Sequence, residues 1–71
     1  MKQIVANMAG TVINVLVGQG EEVQAGADVV MLESMKMEVP VTAEAAGKVA
    51  AVKVNVGDFV NEGDVLIELE G

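Results

Sequence analysis

Residues 46–57 read Ala-Gly-Lys-Val-Ala-Ala-Val-Lys-Val-Asn-Val-Gly, and residues 9–20 read Ala-Gly-Thr-Val-Ile-Asn-Val-Leu-Val-Gly-Gln-Gly. Offset by 37 positions, the two stretches share Ala-Gly, three valines and a glycine. The match runs outward without a gap. Ala6 falls on Ala43, Val23 on Val60, Gly26 on Gly63, and Leu32-Glu33 on Leu69-Glu70, giving eleven identities between residues 4–34 and 41–71. A bias towards valine would not align three glycines and the ends of both segments. Two copies are too few for a solenoid, which needs at least three stacked units. The repeat predicts one domain, residues 1–71, with internal two-fold pseudosymmetry.

Each copy reads as strands and turns. Ala50, Val52, Val54 and Val56 share one face of an extended chain, with Lys53 and Asn55 on the other. Val65, Ile67 and Leu69 alternate with Glu68 and Glu70. In the first copy Ile13, Val15, Val17, Val30 and Leu32 form the corresponding inner row. Gly18-Gln19-Gly20-Glu21, Ala25-Gly26, Val56-Gly57-Asp58 and Glu62-Gly63-Asp64 are turn signals. This spacing leaves no room for a helix of ordinary length and predicts about eight short strands. Two antiparallel sheets facing each other bury one face of each, an all-β sandwich with a close-packed Val/Ala core.

Composition narrows the function. The chain has 71 residues, no Cys and no His. That removes disulfides, zinc sites of the Cys/His kind, Cys nucleophiles and any Ser-His-Asp triad. Four basic residues against eleven acidic ones give a net charge of −7, and Phe59 is the one aromatic residue. Such a surface lacks the charge and the stacking platforms for nucleic acid, and anionic membrane surfaces repel it. No apolar run approaches the ~20 residues of a membrane helix, and residues 1–7 hold no apolar core of signal-peptide length. A cytoplasmic protein is the expectation.

The segment between the copies, residues 29–42, reads Val-Val-Met-Leu-Glu-Ser-Met-Lys-Met-Glu-Val-Pro-Val-Thr. With Met35 and Lys36 at the centre of a tight turn, Ser34 pairs with Met37, Glu33 with Glu38, Leu32 with Val39 and Val30 with Val41. Lys36 then points to water from a hairpin tip, and Pro40 falls where an edge strand tolerates a missing donor. Met35 and Met37 are large apolar residues where Gly, Asn, Asp and Ser are usual. Glu33 and Glu38 oppose like charges across the strands. These residues suit a partner rather than the fold. A lysine at a hairpin tip is nonetheless ordinary, and one Met on each side can simply cap the barrel end.

Glu33-Ser34-Met35-Lys36-Met37-Glu38 resembles the biotin carboxyl carrier motif of the biotinyl/lipoyl attachment domain family, in which a lysine sits between two methionines. The resemblance covers nearly the whole chain, and Val23 to Gly26 and Val60 to Gly63 match the family's Val-x-x-Gly segments. It implies a flattened barrel of two four-stranded antiparallel sheets with the modified lysine at a hairpin tip. It implies that Lys36 receives covalent biotin from a biotin protein ligase, flanked by Met35 and Met37; the opposed Glu33 and Glu38 are expected to help the ligase recognise the hairpin. The biotin arm would carry carboxylate between biotin carboxylase and carboxyltransferase. The chain would be a monomeric carrier and not an enzyme, because the chemistry belongs to the cofactor and its partner enzymes. Lipoyl domains of the family have Asp before the lysine and Ala after it. Glu33 is shared with many of them, so lipoate attached by a lipoyl ligase is the alternative, serving a 2-oxoacid dehydrogenase or related complex. With no insertion in either half and Met1 leading almost directly into the first strand, the chain resembles small stand-alone attachment proteins of bacteria.

Other signals are weaker. Gly18-x-Gly20 lacks the third glycine and the helix of a dinucleotide fingerprint. Asp58, Asn61, Glu62 and Asp64 do not have calcium-loop spacing. Glu33 and Glu38 as a glycosidase pair would need a cleft that so small a barrel lacks.

Overall fold

The computed structural model describes residues 2–70. Eight strands follow one another: β1 (Lys2–Val5), β2 (Gly10–Val15), β3 (Glu22–Val23), β4 (Asp28–Ser34), β5 (Met37–Thr42), β6 (Gly47–Val52), β7 (Phe59–Val60) and β8 (Val65–Glu70). They form two four-stranded antiparallel sheets, ordered β1-β8-β6-β3 and β5-β4-β2-β7. The 37-residue offset maps one sheet onto the other: β5 answers β1, β4 answers β8, β2 answers β6 and β7 answers β3. Short connections step from one sheet to the other, so each copy places two strands in each sheet.

Fifteen residues form the buried core, of which Leu32, Leu66, Ile67 and Leu69 are the largest that are fully enclosed. Eight valines join them, but only Ala6 and Ala43 among the alanines. The core is therefore Val/Leu/Ile rather than Val/Ala. No polar or charged side chain is buried among the described residues.

The inner row differs from simple alternation, and β-bulges are the reason. Between β2 and β4 the register moves from Val12↔Leu32 to Asn14↔Met31, leaving Ile13 as an extra residue. Between β6 and β8 it moves from Val49↔Leu69 to Ala51↔Glu68, leaving Ala50 extra. A bulge shifts the side-chain parity by one. Val12 and Val49 are thus fully buried, while Ile13 and Ala50 are only half-buried. Val29 is extra in β4 against β5, and Leu66 in β8 against β1. There the bulge turns two consecutive side chains inward, Val29-Val30 and Leu66-Ile67, all with no exposure. All four bulges obey the repeat. Val56, placed on the inner row by alternation, lies beyond the end of β6 in the turn at Gly57 and is exposed.

The turns of the second copy carry a further device. The Asp58 and Asp64 carboxylates accept hydrogen bonds from the backbone N–H of Asn55 and Asn61, each at 2.8 Å. Each aspartate reaches back three residues while its own N–H bonds to the asparagine carbonyl, which closes the turn from both sides, and no acidic cluster suited to a metal ion occurs among the described residues.

Candidate functional site

β4 and β5 form a hairpin whose pairs are Ser34↔Met37, Glu33↔Glu38, Leu32↔Val39, Met31↔Pro40 and Val30↔Val41. This is the register that the residue pattern predicts. Val30, Leu32 and Val41 are buried and root the hairpin in the core. β5 is an edge strand, which accommodates Pro40. Two residues, Met35 and Lys36, make the turn, with φ of 52° and 64°. Both lie in the left-handed region, as a type I′ hairpin turn requires. For residues other than glycine this costs about 1–2 kcal/mol each.

The turn points its side chains away from the protein. Lys36 is exposed, Met35 is 92% exposed and Met37 66%. The partly buried apolar residues against the core are Met8, Val15, Val17 and Val52. Met35 and Met37 therefore do not cap the barrel end. Glu33 and Glu38 face each other on the outer surface, where opposed like charges cost about 0.2–1 kcal/mol.

The other lysines sit differently. Lys2 lies in β1. Lys48 lies mid-sheet in β6, paired in register with Glu22 on one side and Glu70 on the other. Lys53 stands one residue past β6, rather than within a strand, and its Nζ is 3.9 Å from Glu68 Oε1. That is the one ion pair among the described residues. Lys36 is the lysine carried on a turn, and no carboxylate of the described residues pairs with its amine.

A shallow cavity of about 290 Å³ is lined by Lys2, Gln3, Ile4, Glu44, Ala45 and Leu69, and one of about 130 Å³ adjoins it. Neither includes a residue of the hairpin tip. The tip can present an amine to another protein's active site but cannot enclose a substrate of its own.

A model of the family described as "Biotin-requiring enzyme" matches residues 2–69. The chain belongs to the biotin/lipoyl attachment domain family. Within this family it is 53% identical over 62 residues to the biotin/lipoyl attachment protein of Bacillus subtilis, covering 87% of this chain and 85% of that one. It is 45% identical over 67 residues to the biotin carboxyl carrier protein of acetyl-CoA carboxylase from Solanum lycopersicum, covering 94% and 96% of the two chains. The urea carboxylase of Kluyveromyces lactis contains the same fold, with a TM-score of 0.90 and 29% identity over 97% of this chain, which spans 6% of that protein. Biotin/lipoyl attachment domains thus occur both as short chains and as parts of large carboxylases.

One surface residue of interest escaped the residue pattern. Phe59 is 65% exposed and pairs with Thr11, which pairs in turn with Glu33. The available signal was its neighbour: Val60 repeats the buried Val23, so Phe59 must face outward.

Proposed function

We propose that residues 1–71 act as one carrier domain, monomeric and cytoplasmic, in which Lys36 is covalently biotinylated. The observation that carries this reading is the presentation of Lys36. An unpaired amine stands at the tip of a two-residue turn between two exposed methionines, on a hairpin anchored by buried aliphatic residues. A net charge of −7 keeps the carrier off anionic membrane surfaces.

The residues fit the group. Amide formation at a lysine Nζ needs an activated acyl donor and a base that takes the proton from the nitrogen. A biotin protein ligase supplies a biotinyl-adenylate. The amine, after losing a proton, forms an amide through Nζ as the bond to AMP breaks. Attachment removes one positive charge and leaves a long flexible arm. Held on Lys36, the cofactor would supply a carboxylate-carrying group that passes between a biotin carboxylase and a carboxyltransferase. This chain supplies no acid, base or nucleophile to that transfer. Its hairpin holds the arm clear of the barrel, and tethering turns a bimolecular encounter into a local search at raised effective concentration. Met35 and Met37 suit a tip that must fit several active sites, because thioether side chains adapt to different surfaces.

Intact-mass measurement on protein co-expressed with biotin and lipoyl ligases tests the reading. The expected product carries one biotinyl group, mapped to Lys36, and the Lys36→Arg variant carries none. A single lipoyl addition would replace biotin by lipoate as the cargo. Label on Lys48 or Lys53, or label that survives Lys36→Arg, would overturn the site.

A further inference from the structure

The outer surfaces of the two sheets carry the same row of positions with different residues. In the β1-β8-β6-β3 sheet the row is Glu22–Lys48–Glu70, read across three strands in direct register. A lysine lies between two glutamates, so each carboxylate has a cation on the neighbouring strand. The 37-residue offset carries these positions onto Phe59, Thr11 and Glu33, which are also in direct register, and Glu38 extends that row onto β5. Here threonine replaces the lysine and phenylalanine replaces a glutamate. The row is left with an uncompensated acidic pair at one end and an exposed aromatic ring at the other. Val56, three residues before Phe59, is 62% exposed, and its counterpart is Gln19. Since the offset relates both rows to one backbone pattern, the fold does not require this difference.

We propose that the outer face of the β5-β4-β2-β7 sheet, with Phe59 as its apolar anchor, is the docking surface for the enzyme that acylates Lys36, which meets it with basic side chains beside an apolar pocket. The inference rests on the carrier reading of Lys36. Two features select this partner. The row adjoins the tip, because Glu33 and Glu38 are one residue pair from the turn. With strands about 4.8 Å apart, Phe59 lies about 14 Å across the sheet from Glu38, within the footprint of a protein that closes on the hairpin. The second feature is reach. Before attachment the reacting Nζ stands no further from the tip than a lysine side chain reaches, so the acylating enzyme must approach the barrel itself. Enzymes that use the finished arm can work further away. Complementary charge speeds and orients such an encounter, and an exposed aromatic residue supplies its desolvated anchor.

The test is steady-state acylation of the unmodified protein by purified biotin protein ligase, with Phe59→Gln, Thr11→Lys and Lys48→Thr beside the wild type. Thr11→Lys gives this face the lysine that the same fold already carries at Lys48. It keeps the test decisive should Phe59→Gln fold poorly in a thermal melt. KM for the protein should rise about tenfold in Phe59→Gln, the effect of losing an anchor. It should rise in Thr11→Lys with a flatter dependence on salt. In both, kcat should hold, and Lys48→Thr should match the wild type. Wild-type KM in Phe59→Gln and Thr11→Lys, with normal labelling of Lys36, overturns the docking face and leaves the carrier reading intact. The docking face is equally overturned if those variants lose only their use by a biotin carboxylase after labelling. Wild-type protein that is not labelled at Lys36 overturns both.

Discussion

The turns inside the two copies and the turn between them solve one geometric problem with different residues. Gly20, Gly26, Gly57 and Gly63 have φ between 89° and 99°. These values lie beyond the small left-handed region open to residues with a Cβ. The four glycines form two repeat-related pairs, 20 with 57 and 26 with 63. Met35 and Lys36, at 52° and 64°, lie inside that region. It admits them at a cost that Gly or Asn would largely avoid. The copy turns are thus set by backbone geometry. The tip turn leaves residue choice open, and the chain fills it with exposed residues that do not pack on the core.

The largest expected effect tests the first half of this contrast. Gly63→Val puts a β-branched residue where φ is 92° and should lower stability by about 2–3 kcal/mol. For a domain of this size that is a drop of roughly 10–20 °C in the thermal midpoint. A midpoint equal to the wild type would break the distinction between the two kinds of turn. Met35→Gly addresses the second half. It relieves a left-handed methionine and sacrifices little packing, so stability should rise by about 0.5–1 kcal/mol while biotin attachment slows. A lower midpoint would show that Met35 contributes to the barrel. The smallest effects are expected on the flanking pair. Glu33→Gln and Glu38→Gln should leave stability, measured by denaturation, unchanged or raised by at most about 0.5 kcal/mol, since each relieves a like-charge pair. Single-turnover labelling of both should slow. Lower stability with normal labelling would make the glutamates structural.

How much the sequence revealed depends on the kind of irregularity. The hairpin register was legible because Val30 and Leu32 on one strand meet Val41 and Val39 on the other when Met35 and Lys36 form a two-residue turn. Turn positions were legible from their glycines. The bulges at Ile13, Val29, Ala50 and Leu66 were not, because an extra residue leaves no mark in residue type. Alternation fixes which side chains face inward only between bulges. That is why alternation puts Ile13 and Ala50 inside where Val12, Val49, Val29 and Leu66 fill the core; Val56 is exposed because the strand has already ended before it. The allocation of strands to sheets was also hidden, since it depends on short connections that cross between layers. At the site, the exposure of Lys36 followed from the hairpin. The exposure of Phe59 could be read only by comparing Val60 with its repeat partner Val23.

The interleaving of the copies gives the tip its freedom. Of the six strand pairings, only β2–β4 and β6–β8 join strands of one copy; β1–β8, β3–β6, β2–β7 and β4–β5 join one copy to the other. Considered alone, either half is a single strand pair with two orphan strands and an uncovered apolar face. Each half completes the other as one subunit completes another in an isologous dimer. In those terms the barrel is a symmetric dimer written on one chain, and Met35-Lys36 is the linker that fuses its subunits. A fusion linker answers to its length and its backbone path, and its side chains are left for other uses.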